Sequence, residues 1–254
     1  MIRTLLMVFL LYIPLVGPAQ ADSRPNTRHF SFEQAAPPEE IAPRLSAAVG
    51  LLYQDGRPGC TAWKMGPREW ATAWHCVALT GRKYTIQTSK EPLGQTLNVR
   101  SILLPAEKGA AKDHWEDWAV LNVAQKTAEI PALAIDCIYV PVLGESVSYA
   151  GFPSAVGEQI LVFSTGIVAN ITRSSDRKLP WTFAAALDGG GGASGSPVLA
   201  NRTVKVIGFV TRGVQLAKGG RVLTGIEGVA GMDLCEAKSE PKTVFPHAAR
   251  PTPF

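Results

Sequence analysis

The sequence is poor in the residues that bind metals. It has four cysteines and four histidines in 254 residues, and no C-x-x-C pair. The cysteines, Cys60, Cys76, Cys137 and Cys235, do not have the spacing of a zinc site. No cluster of carboxylates resembles a calcium loop, so no metal or other cofactor is expected. Charge is also sparse. Charged residues make up 18% of the chain, the formal net charge is +4, and no run of five or more Lys/Arg occurs. Scattered basic residues argue against a nucleic-acid partner. Long helical patterns are few, and no internal repeat is visible. Beyond the first 21 residues, no apolar stretch is long enough to span a bilayer.

Those first 21 residues have the features of a signal peptide. Arg3 supplies a positive start, Leu5 to Val16 are apolar, and Ala19-Gln20-Ala21 has the small-x-small pattern of a cleavage site. An apolar helix of that length rises only about 18 Å, against a hydrocarbon core of about 30 Å, which argues against a membrane anchor. Cleavage would leave Asp22 as the mature N-terminus. The expected protein is exported, periplasmic or secreted, with no stable membrane anchor after cleavage. Export makes disulfides possible. Four cysteines allow three pairings, and the sequence alone does not choose among them.

What is abundant is turn chemistry: 24 Gly and 19 Pro. Residues 22–44 are polar, contain Pro25, Pro37, Pro38 and Pro43, and read as a poorly ordered leader. From about residue 45 to 235, short β-prone runs alternate with turn signals such as Asp55-Gly56, Gly66-Pro67 and Thr80-Gly81. The runs include Ala47–Tyr53, Thr61–Met65, Tyr84–Thr88, Thr96–Leu104, Trp118–Val123, Ser146–Tyr149, Ile160–Ile171, Val206–Thr211 and Arg221–Ile226. Many short strands point to an all-β barrel or sandwich. The segment Asp188–Ser196 is too glycine-rich for a strand. Residues 236–254, with charge and prolines, read as a mobile tail.

Three local motifs carry candidate chemistry, and they occur in a fixed order: Thr72-Ala73-Trp74-His75-Cys76, then Asp117-Trp118-Ala119-Val120-Leu121, then Gly192-Ala193-Ser194-Gly195-Ser196-Pro197. A serine hydroxyl is a weak nucleophile and needs a base within hydrogen-bond reach. It also needs backbone N–H donors aimed at the developing oxyanion. Glycines flanking Ser194 allow such a close approach, and the N–H groups of Gly192 and Ser194 are the candidate donors. His75 is the candidate base, since His29 and His247 fall in the expected tails. Asp117 would hold the imidazole in the correct tautomer. Asp113 and Glu116 compete for that role, and His114 competes for the base. Asp117 is preferred because a strand-like run follows it directly.

The motifs, in this order, resemble those of the chymotrypsin-like serine peptidases. Thr-Ala-Trp-His-Cys is similar to T-A-x-H-C, Asp-Trp-Ala-Val-Leu to D-[IVLW]-A-[LV]-L, and Gly-Ala-Ser-Gly-Ser-Pro to G-x-S-G-[GS]-P, the last in its bacterial form. The resemblance implies two antiparallel six-stranded β-barrels, at about 45–130 and 140–235, with the active site in the cleft between them. It implies a serine endopeptidase acting through His75, Asp117 and Ser194 and an acyl-enzyme. It also implies a protein or peptide substrate; a monomer is expected, though the sequence does not reveal the oligomeric state. The Cys60/Cys76 spacing is the family's own. Cys137 falls at the expected inter-barrel connection and Cys235 after the last strand, which fits a second bridge. The acid at Asp188, six positions before Ser194, implies an S1 pocket leaning towards basic P1 residues. Thr211, Gly213 and Gly220 would line the substrate path, and Arg212 is an alternative partner for Asp188. Two departures stand out. Ala193 replaces the acid that animal members pair with a new N-terminus, and no Ile/Val-Val-Gly-Gly start exists. The oxyanion loop is therefore expected to be organised by glycine turns and local hydrogen bonds. The competing function is a catalytically silent homologue serving as a protein-binding module, and such proteins usually lose a triad residue. A peptidase with an appended peptide-binding module is not expected, because the residues after Ser194 are needed for the second barrel.

Overall fold

A computed structural model describes residues 35–79, 81–89, 94–104, 117–154, 159–173, 181–213, 216–218, 221–223, 226–230, 235 and 244–246. The expected signal peptide at residues 1–21 lies outside the described residues, as do residues 22–34 of the expected leader. All described residues belong to the unit Glu33–Phe254.

The strands of the first half are β1 (Val49–Gln54), β2 (Arg57–Lys64), β3 (Glu69–Ala73), β4 (Tyr84–Thr88), β5 (Thr96–Leu103) and β6 (Trp118–Val123). Strands β4 and β5 alternate as half-buried strands do, whereas β1, β3 and β6 are buried at successive positions. In β5 the inward positions include Leu97, Val99 and Ile102, with polar residues facing out between them. Antiparallel pairing runs β4–β1–β2–β3–β6, and β6 also pairs with β5, which pairs with β4. Six strands thus close on themselves, which leaves no free edge inside the ring. The β1–β2 hairpin turns at Asp55-Gly56, with both residues at positive φ (50° and 81°). That is the turn signature expected of a tight hairpin.

The second half holds β7 (Ser146–Gly151), β8 (Val162–Arg173), β9 (Trp181–Ala186), β10 (Pro197–Ala200), β11 (Lys205–Gly213) and β14 (Ile226–Ala230), closed as a barrel in the order β10–β11–β14–β9–β8–β7. A small hairpin of β12 (Leu216–Lys218) and β13 (Arg221–Leu223) branches from it. The fold is therefore the chymotrypsin-type double barrel implied by the motifs. One apolar cluster spans β1–β6 and continues into Ala150, Phe152, Leu199, Val206 and Phe209 of the second barrel. A separate cluster around Tyr149, Val168, Phe183 and Val198 fills the second barrel's interior.

The ends of the chain differ from expectation. A helix, α1 (Pro38–Ala47), occupies part of the stretch 22–44 expected to be poorly ordered. Proline at the first helical position is compatible with a helix, because its missing N–H would have no intrahelical acceptor there. Ile41 and Leu45, four residues apart on one face, are fully buried in the shared cluster. Ahead of the helix, Ala36 N–H donates to the Asn201 carbonyl at 3.0 Å. The expected mobile tail 236–254 contains a short strand, β15 (Val244–Pro246), paired with β5. Pro246 is tolerated because β15 is an edge strand.

The segment joining the barrels is pinned by Lys64, a buried lysine on β2. Its ammonium donates to the carbonyls of Thr127 and Ile130 (2.6 Å for the latter). Burial lowers its pKa, and Glu129 opposes that shift. Further along, Val206 N–H donates to the Ala134 carbonyl, and Asp136 N–H to the Val206 carbonyl, both at 2.8 Å.

Candidate active site

The β3–β6 register sets the first two candidate residues side by side. Ala73 pairs with Trp118, so the residues just beyond them, Trp74 and Asp117, meet as well. Trp74 N–H donates to the Asp117 carbonyl at 3.0 Å. The chain then turns through one 3₁₀ turn, Trp74–Cys76, which carries His75. The Asp117 carboxylate takes two hydrogen bonds from that one residue: Oδ1 accepts the His75 N–H at 2.9 Å, and Oδ2 lies 2.7 Å from Nδ1. The Asp117 side chain is 14% exposed and the His75 side chain 42%. The carboxylate is thus sheltered while the imidazole is partly open to solvent. An acceptor at Nδ1 assigns the proton to that nitrogen and leaves Nε2 as the basic edge.

Ser194 sits on the loop between β9 and β10, in the second barrel. Thr61 N–H, in the first barrel, donates to the Ser194 carbonyl at 2.9 Å. Thr61 follows Cys60, and Cys60 is bonded to Cys76, the neighbour of His75, with Cα atoms 6.1 Å apart. Cys76 Sγ lies 3.9 Å from the Ser194 carbonyl oxygen. The disulfide and Thr61 therefore bring the Ser194 main chain beside the His75 turn. Gly192 has φ of +90°, the left-handed region that suits glycine. A Cβ there would run into the Phe152 carbonyl. Among the described residues, the N–H groups of Gly192 and Ser194 have no acceptor, whereas their neighbours Ala193, Gly195 and Ser196 each donate to a carbonyl.

Cys137 and Cys235 are also joined, with Cα atoms 5.7 Å apart and 98 positions between them in sequence. Asp188 is held through its main chain, with its N–H donating to Ser164 Oγ at 3.2 Å and its carbonyl accepting the Tyr149 hydroxyl. Its side chain is exposed rather than buried, and among the described residues it has no partner. Strand β11 carries Thr211, which is buried, and ends at Gly213. Gly220 lies outside the described residues, as do the competitors Asp113, His114 and Glu116 and the other histidines, His29 and His247. The Arg212 side chain lies outside them too.

Beside His75, on the first-barrel side, opens a cavity of about 680 Å³. Its walls include Leu52, Arg57, Gly59, the Cys60–Cys76 bridge and Arg82. Arg82 and the Lys83 N–H both bind the Asp55 carboxylate, at 2.8 and 2.9 Å.

Two residues that shape this site were not singled out from the sequence. Thr61 Oγ1 donates to the Gly192 carbonyl at 3.1 Å and accepts the Phe152 N–H at 3.0 Å. Ser154 Oγ donates to the Gly191 carbonyl at 2.8 Å. Neither lies in a recognisable motif, and the partner of Thr61 is 131 positions away in sequence.

A double β-barrel with a carboxylate-oriented histidine on one barrel and a glycine-flanked serine on the other defines a chymotrypsin-type architecture. The family profile described as trypsin-like peptidase domain matches residues 60–209, more than half of the sequence. The chain belongs to that family. Among solved structures, an HtrA-type protease, AlgW, with a decapeptide is similar at TM-score 0.60 and 16% identity over 80% of this chain and 67% of that one. AlgW with a tripeptide is similar at TM-score 0.56 and 20% identity over 78% and 60%. The chain thus spans between three-fifths and two-thirds of the length of these structures. No curated protein matches in a sequence comparison.

Proposed function

We propose that the protein is an exported serine endopeptidase. The observation that carries this reading is the His75–Asp117 pair, 2.7 Å between Nδ1 and Oδ2, set beside the main chain of Ser194. In this reading the Ser194 hydroxyl attacks the scissile carbonyl and passes its proton to His75 Nε2. Asp117 holds the ring in the productive tautomer and stabilises the imidazolium that forms. The oxyanion is met by the unoccupied N–H groups of Gly192 and Ser194. His75 then protonates the leaving amine, an acyl-enzyme remains on Ser194, and water releases it by the reverse sequence of proton transfers.

The cavity beside His75 gives the departing segment of a peptide room next to the group that protonates it. Strand β11, through Thr211 and Gly213, is the edge along which the acyl side would lie. An exposed carboxylate at Asp188 attracts a cationic side chain only weakly. Exposed pairs are worth about 0–1 kcal/mol, which limits the preference for Arg or Lys at P1 to about fivefold. Export is supported by the N-terminal signal pattern and by the pairing of all four cysteines. Among the described residues, no helix is long and apolar enough to cross a membrane.

The test is cleavage of a diverse peptide mixture by the chain beginning at Asp22, with products read by mass spectrometry beside a Ser194→Ala control. New termini that vanish in the control, with Arg and Lys only modestly enriched at P1, are expected. Absence of cleavage by folded protein would contradict the reading, and a dominant acidic P1 preference would contradict the role of Asp188.

A further inference from the structure

The loop carrying Ser194 is built from four successive glycines, Gly189 to Gly192, followed by Ala193. Such a sequence has little conformational preference of its own, since glycine populates both halves of φ space. Yet four consecutive carbonyls in it are each held by a fixed donor. The Gly191 carbonyl accepts both Ser154 N–H (2.5 Å) and Ser154 Oγ (2.8 Å). The Gly192 carbonyl accepts Thr61 Oγ1 (3.1 Å), the Ala193 carbonyl accepts Ser196 N–H (3.0 Å), and the Ser194 carbonyl accepts Thr61 N–H (2.9 Å).

A trans peptide is planar, with its C=O and N–H on opposite sides. Fixing the Gly191 carbonyl therefore turns the Gly192 N–H the other way, and fixing the Ala193 carbonyl does the same for the Ser194 N–H. Neither of these two amides has an acceptor among the described residues. The peptide between Gly192 and Ala193 lies between them. If it rotates, it carries both neighbours out of line. On its carbonyl side, that peptide is held by the Thr61 hydroxyl.

Thr61 is fully buried, and all of its polar atoms are engaged. Its hydroxyl donates to the Gly192 carbonyl and accepts the Phe152 N–H (3.0 Å). Its N–H binds the Ser194 carbonyl, and its own carbonyl accepts the Thr72 hydroxyl (2.7 Å). Gly151 leaves the room this requires, because a Cβ there would press on Ser196 and come within 3.1 Å of Thr61 Oγ1. No ionic partner is available at Ala193, which is apolar and fully buried.

We propose that Thr61, a residue of the first barrel, is a positioning residue for the oxyanion site of the second. Its hydroxyl locks the Gly192–Ala193 peptide so that the Gly192 and Ser194 amides converge on one point. The inference rests on the serine-peptidase reading above and adds to it a named device that acts across the cleft between the barrels.

Acylation by p-nitrophenyl acetate tests it, because that ester needs the nucleophile and the oxyanion site but no substrate pocket. Thr61→Val keeps the shape and removes the hydroxyl. The maximal acylation rate is expected to fall about 10- to 100-fold, as a misplaced oxyanion donor would cause, while the half-saturating ester concentration changes less than about twofold. Thr61→Ser keeps the hydroxyl and is expected to stay within about threefold of wild type. Rates are taken where circular dichroism shows each variant folded. Thr61→Ala stands in as the hydroxyl-free variant if the valine chain does not fold. A hydroxyl-free variant as fast as wild type would overturn the proposal, and so would a Thr61→Ser chain as slow as Thr61→Val, which would assign the effect to packing. A folded wild-type chain that is never acylated would instead overturn the serine-peptidase reading, and with it any role for the clamp.

Discussion

Asp117 binds His75 at two points, ring and backbone, and so fixes both the position and the tautomer of the imidazole. Replacing the carboxylate by an amide of the same shape separates these effects. In Asp117→Asn the side-chain amide can donate to Nδ1, which moves the ring proton to Nε2 and removes the base. The acylation rate is expected to drop by about 10⁴, with the fold retained. Rapid mixing with p-nitrophenyl acetate measures it, and a loss below tenfold would mean that Asp117 does not orient the base. A second residue-scale prediction concerns Tyr139, whose buried hydroxyl donates to the Glu145 carboxylate. Burial, and then the Glu145 hydrogen bond and charge, raise its pKa far above the ordinary 10.0. A raised folded-state pKa means that the stability it contributes is complete below about pH 10, the unfolded tyrosine's pKa, and is lost as the pH rises above it. Lys64 acts in the opposite sense, because its lowered pKa relieves a burial cost as the pH rises. The difference between wild type and Tyr139→Phe isolates the tyrosine. The urea midpoint of wild type should fall relative to that of the variant between pH 8 and pH 11, and parallel curves would contradict the assignment.

At the scale of elements, α1 shows where sequence patterns lose their force. Residues 35–44, the end of the stretch 22–44 that reads as a poorly ordered leader, carry three prolines and three charges. What makes the helix is a pair of apolar residues, Ile41 and Leu45, buried together in the shared core. Tertiary burial of one face, rather than intrinsic propensity, stabilises a helix this short. Leu45→Ala is therefore expected to cost about 2–5 kcal/mol in chemical denaturation, as for any fully buried leucine. A loss under about 0.5 kcal/mol would fit a detachable leader instead. Strand β9 carries no clear sequence signal for a related reason. Its run Trp181–Ala186 ends in three alanines, residues depleted in strands, yet it pairs on both sides with β8 and β14. In the sequence, β3 reads only as the approach to His75, because its five residues hold no alternation long enough to stand out. The motifs themselves were legible because each packs its chemistry into five or six adjacent residues.

At the scale of the whole molecule, legibility follows the range of the interactions. The double barrel could be inferred from the order of three motifs and the density of short strands. The contacts that assemble the site could not, because they join residues far apart in sequence. His75 meets Asp117 across 42 positions, and Thr61 meets Gly192 across 131. The burial state of Asp188 was equally invisible, since it depends on how the walls around it close. The two disulfides act at this scale as well, one tying β2 to the His75 turn and the other tying the inter-barrel segment to the chain beyond the second barrel. The central claim is that the two barrels meet to activate a single serine. The most direct measurement is exposure of the chain beginning at Asp22 to a fluorophosphonate, with the modified peptide identified by mass spectrometry. Stoichiometric modification at Ser194, absent in Ser194→Ala and strongly slowed in His75→Ala, is the predicted result. A folded chain that stays unmodified, or is modified at another residue, would contradict it.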